Sequence, residues 1–342
     1  MPAALACPDK FRGTLSAAAA AEAMGKGLAA AGFDEVRRLP LADGGEGTLD
    51  ALLAARGGSR RQTRVTGPLG EPVDAAWGQL PDGTAVVECA TASGLALVEG
   101  RNDPLAATSR GTGELMAAAV RAGARRILVA VGGSAMTDGG LGAVDALGWS
   151  LAGLEVTVAC DVTTPFLEAG TVYGPQKGAT AAQVALLTRR LERLAEVYGR
   201  RTGVDVTALA GSGAAGGLAG GLAALGARLA PGFDVVAGAS GLEQALSGVD
   251  LVVTGEGRLD ASSFSGKVPG GVLEWAEADG VPRRAVIAGQ VAAGVGDVLP
   301  GEVLVLALAD RVWQAGEAFT RAAVLLAEAA DEAGRWALSA RA

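Results

Sequence analysis

The most informative absence in this 342-residue sequence is histidine, of which there is none. The chain therefore lacks the commonest general base, any Ser–His catalytic triad and the usual nitrogen ligand of zinc. Proton transfer must fall to aspartate, glutamate or lysine. Lysine is itself scarce, with four residues against 25 arginines. Three of the four stand in segments rich in glycine, proline or serine, which indicates positions that need a compact ammonium group: Lys10, Lys177 and Lys267.

Other scarcities narrow the class of protein. The three cysteines are an odd set at the ends of apolar runs, which predicts buried strand residues in a reducing cytoplasm and no disulfide framework. A net charge of −8 argues against a nucleic-acid partner. The N-terminus lacks the basic flank of a signal peptide. The uncharged stretch 206–227 holds seven glycines, so it predicts a glycine-rich loop and a packed helix, not a membrane span.

The stretch around which the chain is organised begins with the apolar run 127–131. This run predicts a strand buried on both faces, as in a parallel sheet. It leads into Gly132-Gly133-Ser134 and then Asp138, between further small residues. Ligands of open α/β sheets bind outside the carboxyl ends of the strands, so this loop is a candidate wall of an active site. The alternative is a strand-to-helix turn in which Asp138 caps the next helix.

The two ends of the chain share one pattern and the middle has another. Apolar runs before glycine-rich loops predict parallel strands at 3–7, 36–40, 251–254 (ending at Gly255), 285–288 (ending at Gly289) and 303–307. Runs separated by turn signals predict antiparallel strands at 61–65, 73–80 and 85–89. We expect one α/β domain from 1–61 and 237–342, and an inserted α/β domain with a mixed sheet at 62–236. An active site is expected in the cleft between them.

Two helices carry clear start signals. Ser16 is the predicted N-cap of an alanine-rich helix that ends near Gly32. Thr180 and Gln183 form a predicted capping box, and the helix that follows is expected to end at Gly199. Since a helix N-terminus beside a lysine favours an anion, Lys177 is a candidate phosphate ligand.

Carboxylates follow two of the predicted strands. Asp43 and Glu46 lie in a glycine-rich loop after the second strand, where they are suited to sharing Mg²⁺ or positioning a substrate hydroxyl. The alternative is compensation of the dipole of the next helix. Asp161 directly follows the run 156–160 and is either a functional carboxylate or a turn residue ahead of Pro165.

The segment 211–217 contains the pattern G-x-G-x-x-G. It indicates either a dinucleotide fingerprint or a nest of backbone N–H groups for nucleotide phosphates, with close glycine packing as the structural alternative. The pattern G-x-x-x-x-G-K-[ST] is absent, which excludes a P-loop. Phosphoryl transfer needs cations, Mg²⁺ and a carboxylate that faces the acceptor hydroxyl, all of which a chain without histidine can supply. An NAD(P)-dependent oxidoreductase and a non-catalytic sugar-acid-binding regulator remain alternatives.

Seven motifs occur together in a fixed order over some 250 residues. They are PDKFRGTLS (8–16), LADGGEGT (41–48), VGGSAMTDGG (131–140), ACDV (159–162), GPQKGAT (174–180), GSGAAGG (211–217) and TGEGRLD (254–260). In this combination the chain resembles the bacterial type I glycerate kinase family. The resemblance implies ATP- and Mg²⁺-dependent phosphorylation of D-glycerate, favouring the 2-hydroxyl. It also implies a flavodoxin-like domain with an inserted domain. Separately, we expect a cytoplasmic monomer or homodimer whose partners are small molecules, with neither nucleic acid nor membrane among them.

The resemblance also assigns roles to individual residues. Asp161, which is preferred, Asp43 or Asp138 would orient and deprotonate the hydroxyl, beside Lys10. The remaining candidates are Arg12, Glu46, Ser134 and Arg258 for the substrate, Lys177, Gly211, Ser212, Gly213, Gly216 and Lys267 for the nucleotide, and Glu256 and Asp260 for Mg²⁺. The chain departs from the family at Arg12, where a lysine is usual, and at 148–156, which is much shorter than the family pattern.

Overall fold

The computed structural model describes residues 1–312 and 315–339. The strands are β1 (Ala3–Ala6), β2 (Glu35–Arg38), β3 (Ser59–Thr66), β4 (Pro72–Gln79), β5 (Ala85–Glu88), β6 (Arg126–Ala130), β7 (Glu155–Cys160), β8 (Arg228–Pro231), β9 (Leu251–Leu259), β10 (Arg283–Val291) and β11 (Leu304–Ala307). The α-helices are α1 (Ala17–Ala31), α2 (Thr48–Arg56), α3 (Cys89–Ser93), α4 (Arg110–Arg121), α5 (Leu141–Ala146), α6 (Ala169–Tyr173), α7 (Ala181–Thr202), α8 (Leu218–Ala224), α9 (Gly232–Ser240), α10 (Leu242–Leu246), α11 (Val268–Ala278), α12 (Ala315–Thr320) and α13 (Ala322–Ser339).

The chain divides into two compact units. Unit 1 comprises Met1–Asp43, Asp50–Ala55 and Phe233–Ala342, and unit 2 comprises Gly44–Leu49 and Arg56–Gly232. The domain boundaries expected from the sequence, at 61/62 and 236/237, stay a prediction beside this division. Residues 313–314 and 340–342 of the expected terminal domain lie outside the described residues.

Unit 1 contains a five-stranded sheet in the order β11-β10-β9-β1-β2, with every pair parallel. Counted within the unit, this is the strand order 2-1-3-4-5 of flavodoxin-like folds. The predicted fold class is confirmed. The strand order reverses between β1 and β9, and sheets of this kind bind ligands beyond the carboxyl ends of the strands at such a reversal.

Helix α1 begins and ends where the sequence predicts. The Ser16 side chain accepts a hydrogen bond from the Ala19 N–H at 3.2 Å. Gly32 ends the helix with a φ of 110°, a left-handed conformation that glycine adopts without strain. The buried face of the helix consists mainly of alanine and glycine, which allows it to pack closely against α13.

Strands β9 and β10 are longer than predicted. The sequence places their ends at Gly255 and Gly289, but the ladder continues, with Glu256 opposite Ala288 and Arg258 opposite Gln290. The physical reason is close backbone approach, since a Cβ at Gly289 would lie 2.5 Å from the Gly257 carbonyl oxygen. These glycines keep the two strands together where a side chain would push them apart. Glu256 and Arg258 are therefore held on a strand and not on a loop.

Unit 2 contains a six-stranded mixed sheet in the order β3-β4-β5-β6-β7-β8. The β3/β4 and β4/β5 pairs are antiparallel, and the pairs from β5 to β8 are parallel. The predicted mixed sheet is confirmed. Residues 127–130 of the central strand β6 are buried, because helices such as α4 and α8 pack against its sheet.

The uncharged stretch 206–227 forms a short 3₁₀ helix at Val206–Ala208, a buried loop and helix α8. This confirms the predicted loop and packed helix. Among the described residues, none of the helices combines the length and apolar character needed to span a bilayer. The three cysteines, Cys7, Cys89 and Cys160, are free and buried, as predicted.

Helix α7 begins with the predicted capping box. The Thr180 side chain accepts from the Gln183 N–H, and the Gln183 side chain accepts from the Thr180 N–H at 2.9 Å. The predicted end at Gly199 is wrong, because the helix runs on to Thr202. Gly203 ends the helix in the left-handed conformation, with a φ of 78°.

Replacing Thr180 by alanine should lower the free energy of unfolding of the protein by about 1 kcal/mol, because the variant loses the side-chain oxygen that accepts from the Gln183 N–H. Urea unfolding measures the change. Glu192→Ala, at an exposed position of the same helix, is the control and should stay within about 0.5 kcal/mol of wild type. Equal stability of the two variants would contradict the capping role.

Candidate active site

Unit 1 places a carboxylate cluster at the reversal point of its sheet. Asp9 follows β1, its N–H donates to the Gly255 carbonyl of β9 at 2.9 Å, and its Oδ1 accepts from the Lys10 N–H at 2.7 Å. Burial, together with the negative charges of Asp43 and Glu256, raises the pKa of Asp9 to about 7. Predicted residues Lys10, Asp43 and Glu256 therefore lie around a carboxyl group that the sequence did not single out.

The second carboxylate of this cluster is that of Glu256. Its Oε1 is buried and has no hydrogen-bond partner among the described residues. Burial raises the pKa of Glu256, whereas a hydrogen bond from Ser263 and the charge of Lys267 oppose the rise. A buried carboxylate oxygen without a partner is rare and is suited to receiving a cation.

Asp260 and Lys267 are tied to a local turn. The Asp260 Oδ1 accepts from the Ser262 N–H at 2.9 Å and from the Ser262 hydroxyl at 2.6 Å, which caps the 3₁₀ helix Ala261–Phe264. These bonds hold the pKa of Asp260 below its usual range. The Lys267 ammonium donates to the same hydroxyl at 2.8 Å.

Two predicted arginines belong to this part of unit 1. Arg12 and Arg258 are exposed. A Cβ at Gly257, the residue before Arg258, would lie 3.1 Å from the Arg12 backbone nitrogen. The loop after β1 and the end of β9 therefore run side by side, so the structure brings both arginines to the neighbourhood of Asp9 and Glu256.

In unit 2, the glycine-rich loop before α2 is held by a buried acid. The Glu88 side chain, 6% exposed, accepts from the N–H groups of Gly47 at 3.0 Å and Leu49 at 2.7 Å. Glu88 thus caps the start of α2, which leaves Glu46 exposed on the loop. A Cβ at Gly132 would lie 2.7 Å from the Gly45 Cα, so this loop touches the loop that carries the buried Ser134.

Asp138 is the centre of a hydrogen-bond network. Its Oδ2 accepts from the Ser109 N–H and hydroxyl, both at 2.8 Å, and from Thr108 Oγ1 at 3.3 Å. The N–H groups of Gly140 and Gly142 donate to the same carboxylate at 3.1 and 3.3 Å. The side chain therefore caps helix α5, which the sequence left open as the alternative to an active-site role. Its role as a base stays a prediction.

Lys177 is buried, with 3% of the residue exposed. Its ammonium donates to the Met136 carbonyl at 2.5 Å and lies 5.9 Å from the centroid of the Tyr173 ring. Burial lowers the pKa of Lys177 to about 8, against the opposing charges of Cys89 and Asp138. The lysine thus supports the 136–138 loop and, with a pKa of about 8, remains mostly protonated at pH 7.

Asp161 is exposed at the carboxyl end of β7, as predicted. Burial of the Tyr173 and Cys160 side chains is the main cause that raises the pKa of each. The negative charge of Asp161 adds to both rises. The Tyr173 hydroxyl lies 2.7 Å from the Thr164 hydroxyl. Asp161, Tyr173 and Lys177 therefore share one neighbourhood within unit 2.

The loop 211–217 is buried along its whole length. The N–H groups of Ser212, Gly213, Ala214 and Gly217 donate to protein carbonyls. A Cβ at Gly211 would lie 2.9 Å from the Val162 carbonyl oxygen, and those at Gly213 and Gly216 would also collide with backbone. Close packing accounts for these glycines, so the assignment of Gly211, Ser212, Gly213 and Gly216 to a nucleotide stays a prediction.

The dinucleotide alternative does not fit the local fold. A dinucleotide fingerprint follows a strand and opens a helix, with its glycines at the phosphates. Here the 3₁₀ helix Val206–Ala208 stands before Gly211 in place of a strand, and a 3₁₀ turn, Ala214–Gly217, forms the second half of the motif. The local fold therefore does not support the NAD(P)-dependent oxidoreductase that the sequence left as an alternative.

Within residues 1–312 and 315–339, no group of three or more acidic or cysteine side chains is arranged to hold a metal ion. Mg²⁺ at nucleotide sites is commonly held by only one or two carboxylates, the rest of its shell being water and phosphate oxygens. The unpartnered Oε1 of Glu256 fits that requirement.

With this geometry in place, comparison with known proteins gives a clear result. The Glycerate kinase family matches the chain over residues 4–153 and 150–338. This chain belongs to the Glycerate kinase family. It is accordingly an enzyme of the phosphotransferase class.

Individual relatives agree with this assignment. A protein named Glycerate 2-kinase from Escherichia coli (strain K12) is 43% identical over 307 residues, with 79% of this chain and 81% of that protein covered. A Glycerate kinase from Bacillus subtilis (strain 168) is 42% identical over 313 residues, with coverages of 80% and 82%. A crystal structure from Salmonella typhimurium LT2 with the provisional name glycerate kinase 2 has a TM-score of 0.85 at 35% identity and covers 99% of both chains.

Sequence reasoning missed several polar residues of this kinase. Asp9, Glu88, Asn102 and Tyr173 each acquire their environment from contacts with distant segments. Asp9 carried one usable signal, because it directly follows the first strand in the motif that also contains Lys10.

The raised pKa of Asp9 makes stability pH-dependent. The folded-state pKa of about 7 lies above the ordinary 3.8, so the folded state retains a proton that the unfolded state releases. The free energy of unfolding should therefore fall as pH rises from about 4 to 7. Asp9→Asn removes this effect and should be the more stable protein above pH 7, by at most about 4 kcal/mol.

Urea unfolding at pH 5, 7 and 8.5 tests this expectation. The difference between Asp9→Asn and wild type should grow with pH. The exposed Asp34→Asn is the control, and its difference should stay flat. A difference for Asp9→Asn that does not change with pH would show that the carboxyl is already ionised throughout this range.

Proposed function

We propose that this enzyme transfers the γ-phosphoryl group of ATP to D-glycerate in the presence of Mg²⁺, forming 2-phospho-D-glycerate and ADP. The observation that carries the proposal is the family match, which extends from residue 4 to residue 338. The relative from Escherichia coli, whose name specifies a 2-kinase, supports the 2-hydroxyl as acceptor. The gathering of predicted residues within each unit supports the assignment of roles that follows.

We assign proton acceptance to Asp161. The lone pairs of Asp138 accept from the Thr108–Ser109 segment and from the start of α5, so that carboxylate serves as a structural anchor. Asp161 is exposed at the carboxyl end of β7. In the reaction, the glycerate hydroxyl passes its proton to this carboxylate while its oxygen bonds to the γ-phosphorus. The bond from that phosphorus to the bridging oxygen breaks, and ADP leaves.

Cations of unit 1 would neutralise the negative charge of the reactants. Lys10, Arg12 and Arg258 lie around the reversal point of the sheet, and Lys267 lies on the turn beyond β9. We assign the first three to the glycerate carboxylate and the transferred phosphoryl group. Lys267 is assigned to nucleotide phosphates, and Glu46 and Ser134 to the substrate.

Mg²⁺ would be held by Glu256, whose buried Oε1 has no hydrogen-bond partner in the described part of the chain. When bound, the ion supplies positive charge to the phosphate oxygens. The raised pKa of Glu256 reflects the cost of burying its charge, which a cation would offset. Asp260, which caps the 3₁₀ helix Ala261–Phe264, is assigned to Mg²⁺ as the second candidate ligand.

The deciding experiment is an ADP-release assay with ATP, Mg²⁺ and D-glycerate, followed by ³¹P NMR of the product. We expect ADP release that depends on both D-glycerate and Mg²⁺, with the phosphate on the 2-oxygen. A phosphate on the 3-oxygen would overturn the assigned acceptor. Binding of D-glycerate without any ADP release would instead identify a non-catalytic sugar-acid-binding regulator.

Asp161→Asn should lower kcat by on the order of 10²-fold, because the amide does not accept a proton. KM for D-glycerate should change little, since the shape and hydrogen-bonding of the side chain are nearly kept. Glu155→Gln, at the exposed opposite end of the same strand, is the control and should leave kcat unchanged. Near-normal turnover of Asp161→Asn would remove the proton-acceptor assignment.

A further inference from the structure

Three parallel strands of unit 2 end side by side at the segment 44–49, which leads into the first turn of α2. The register places Glu88, Ala130 and Ala159, from β5, β6 and β7, in one row at the carboxyl ends of the strands. The segment begins against β7, because a Cβ at Gly44 would lie 2.9 Å from the Ala159 Cβ. It therefore lies at the edge of the sheet beyond which ligands of α/β proteins bind.

The middle of the segment contacts the loop that follows β6. A Cβ at Gly132 would lie 2.7 Å from the Gly45 Cα and 3.3 Å from the Glu46 backbone nitrogen. The same loop carries Ser134, which the proposed function assigns, like Glu46, to the substrate. The two parts of unit 2 that carry these substrate candidates are therefore in direct backbone contact.

The segment contains a turn with one exposed side chain. The Gly45 carbonyl accepts from the Thr48 N–H at 3.3 Å and from the Thr48 hydroxyl at 2.7 Å. Thr48 is buried, whereas Glu46, one of the two central residues of the turn, is exposed. The position of Glu46 is therefore set by the contacts that fix the backbone of this turn.

Glu88 fixes the second half of the turn. Its Oε1 accepts from the N–H groups of Gly47 at 3.0 Å and of Leu49 at 2.7 Å. The side chain is buried, and burial of a carboxylate is costly even when it is hydrogen-bonded. A side chain from the segment itself would cap the helix without burying a charge. An acid at the end of β5 does more, because it also attaches the turn to the sheet.

We propose that Glu88 is a positioning residue, which holds the turn 45–48 so that the Glu46 side chain contacts D-glycerate. The inference rests on the proposed function, since that function assigns Glu46 to the substrate. Glu88 acts through the length of its side chain and the place of its Oε1. An uncharged acceptor of the same length should therefore serve in its place.

Two substitutions separate the length of the side chain from its charge. Glu88→Asp keeps the charge but removes one methylene, so the turn shifts and Glu46 moves with it. KM for D-glycerate should rise about tenfold with little change in kcat, because a displaced binding group weakens substrate and transition state alike. Glu88→Gln keeps an acceptor oxygen at full length, so its KM should stay within about threefold of wild type. The reverse order of impairment would overturn the proposal.

Glu114→Asp is the matched control. Glu114 also accepts a backbone N–H from a distant segment, that of Thr66 at 2.7 Å, and none of the assignments uses it. Its KM for D-glycerate should match wild type, even where its thermal unfolding midpoint falls as far as that of Glu88→Asp. An equal rise in KM in the two variants would mean that lost stability explains both, and would overturn the proposal.

A double substitution tests whether Glu88 acts through Glu46. Glu46→Ala alone should raise KM for D-glycerate, and Glu88→Asp should add nothing in that background, because no side chain is left to displace. Additive effects would show that Glu88 acts by another route and would overturn the proposal. A normal KM in Glu46→Ala would instead refute the assignment of Glu46 to the substrate.

Amide hydrogen exchange separates the inference from the proposed function, because it does not depend on turnover. Exchange at 45–49 should be faster in Glu88→Asp than in wild type and unchanged in Glu114→Asp. Wild-type enzyme that turns over D-glycerate, with exchange at 45–49 unchanged by Glu88→Asp, would refute the positioning role alone. Wild-type enzyme that releases no ADP would refute the proposed function, and with it the contact between Glu46 and D-glycerate.

Discussion

A buried loop must find partners for its backbone, and this requirement organises unit 2 around residues 136–140. Buried carbonyl and N–H groups outside regular structure need hydrogen bonds from elsewhere in the chain. Lys177 supplies one to the Met136 carbonyl, and the Tyr198 hydroxyl supplies one to the Gly139 carbonyl at 2.9 Å. Asp138 accepts from the two N–H groups of Gly140 and Gly142. Three polar side chains, of which Lys177 and Tyr198 are buried, therefore hold a loop that carries no regular structure of its own.

The absence of histidine is offset by burial of other groups. Burial brings the pKa of Asp9 up to about 7 and that of Lys177 down to about 8. Both groups thus change charge near physiological pH, the range in which an unperturbed histidine would titrate. Each unit of the enzyme contains one of them. The chain therefore has groups that titrate near neutral pH although it has no histidine, because burial shifts the pKa values of an aspartate and a lysine.

The sequence predicted those features that depend on local pattern. The strand at 127–131, the N-cap at Ser16 and the capping box at Thr180 are each set by residues a few positions apart, and the structure contains all three. The predicted end of β9 at Gly255 was wrong, because the length of this strand depends on pairing with a strand distant in sequence. The strand continues through Glu256 because β10 lies beside it. The environment of Asp9 was equally unpredictable from local sequence, since the charges that raise its pKa belong to Glu256 of β9 and to Asp43.

The connection at 148–154 lies within the segment 148–156, which the sequence predicts to be shorter than the family pattern. The two family-matched segments overlap here, at residues 150–153. Trp149 adopts a φ of 60°, unusual for a bulky residue, and its indole N–H donates to Asp145 at 2.7 Å. Arg201 lies over the indole at 4.0 Å, and the Tyr198 ring lies 5.7 Å away. Because Tyr198 also bonds to Gly139, the packing that closes this short turn extends directly to the loop of Asp138.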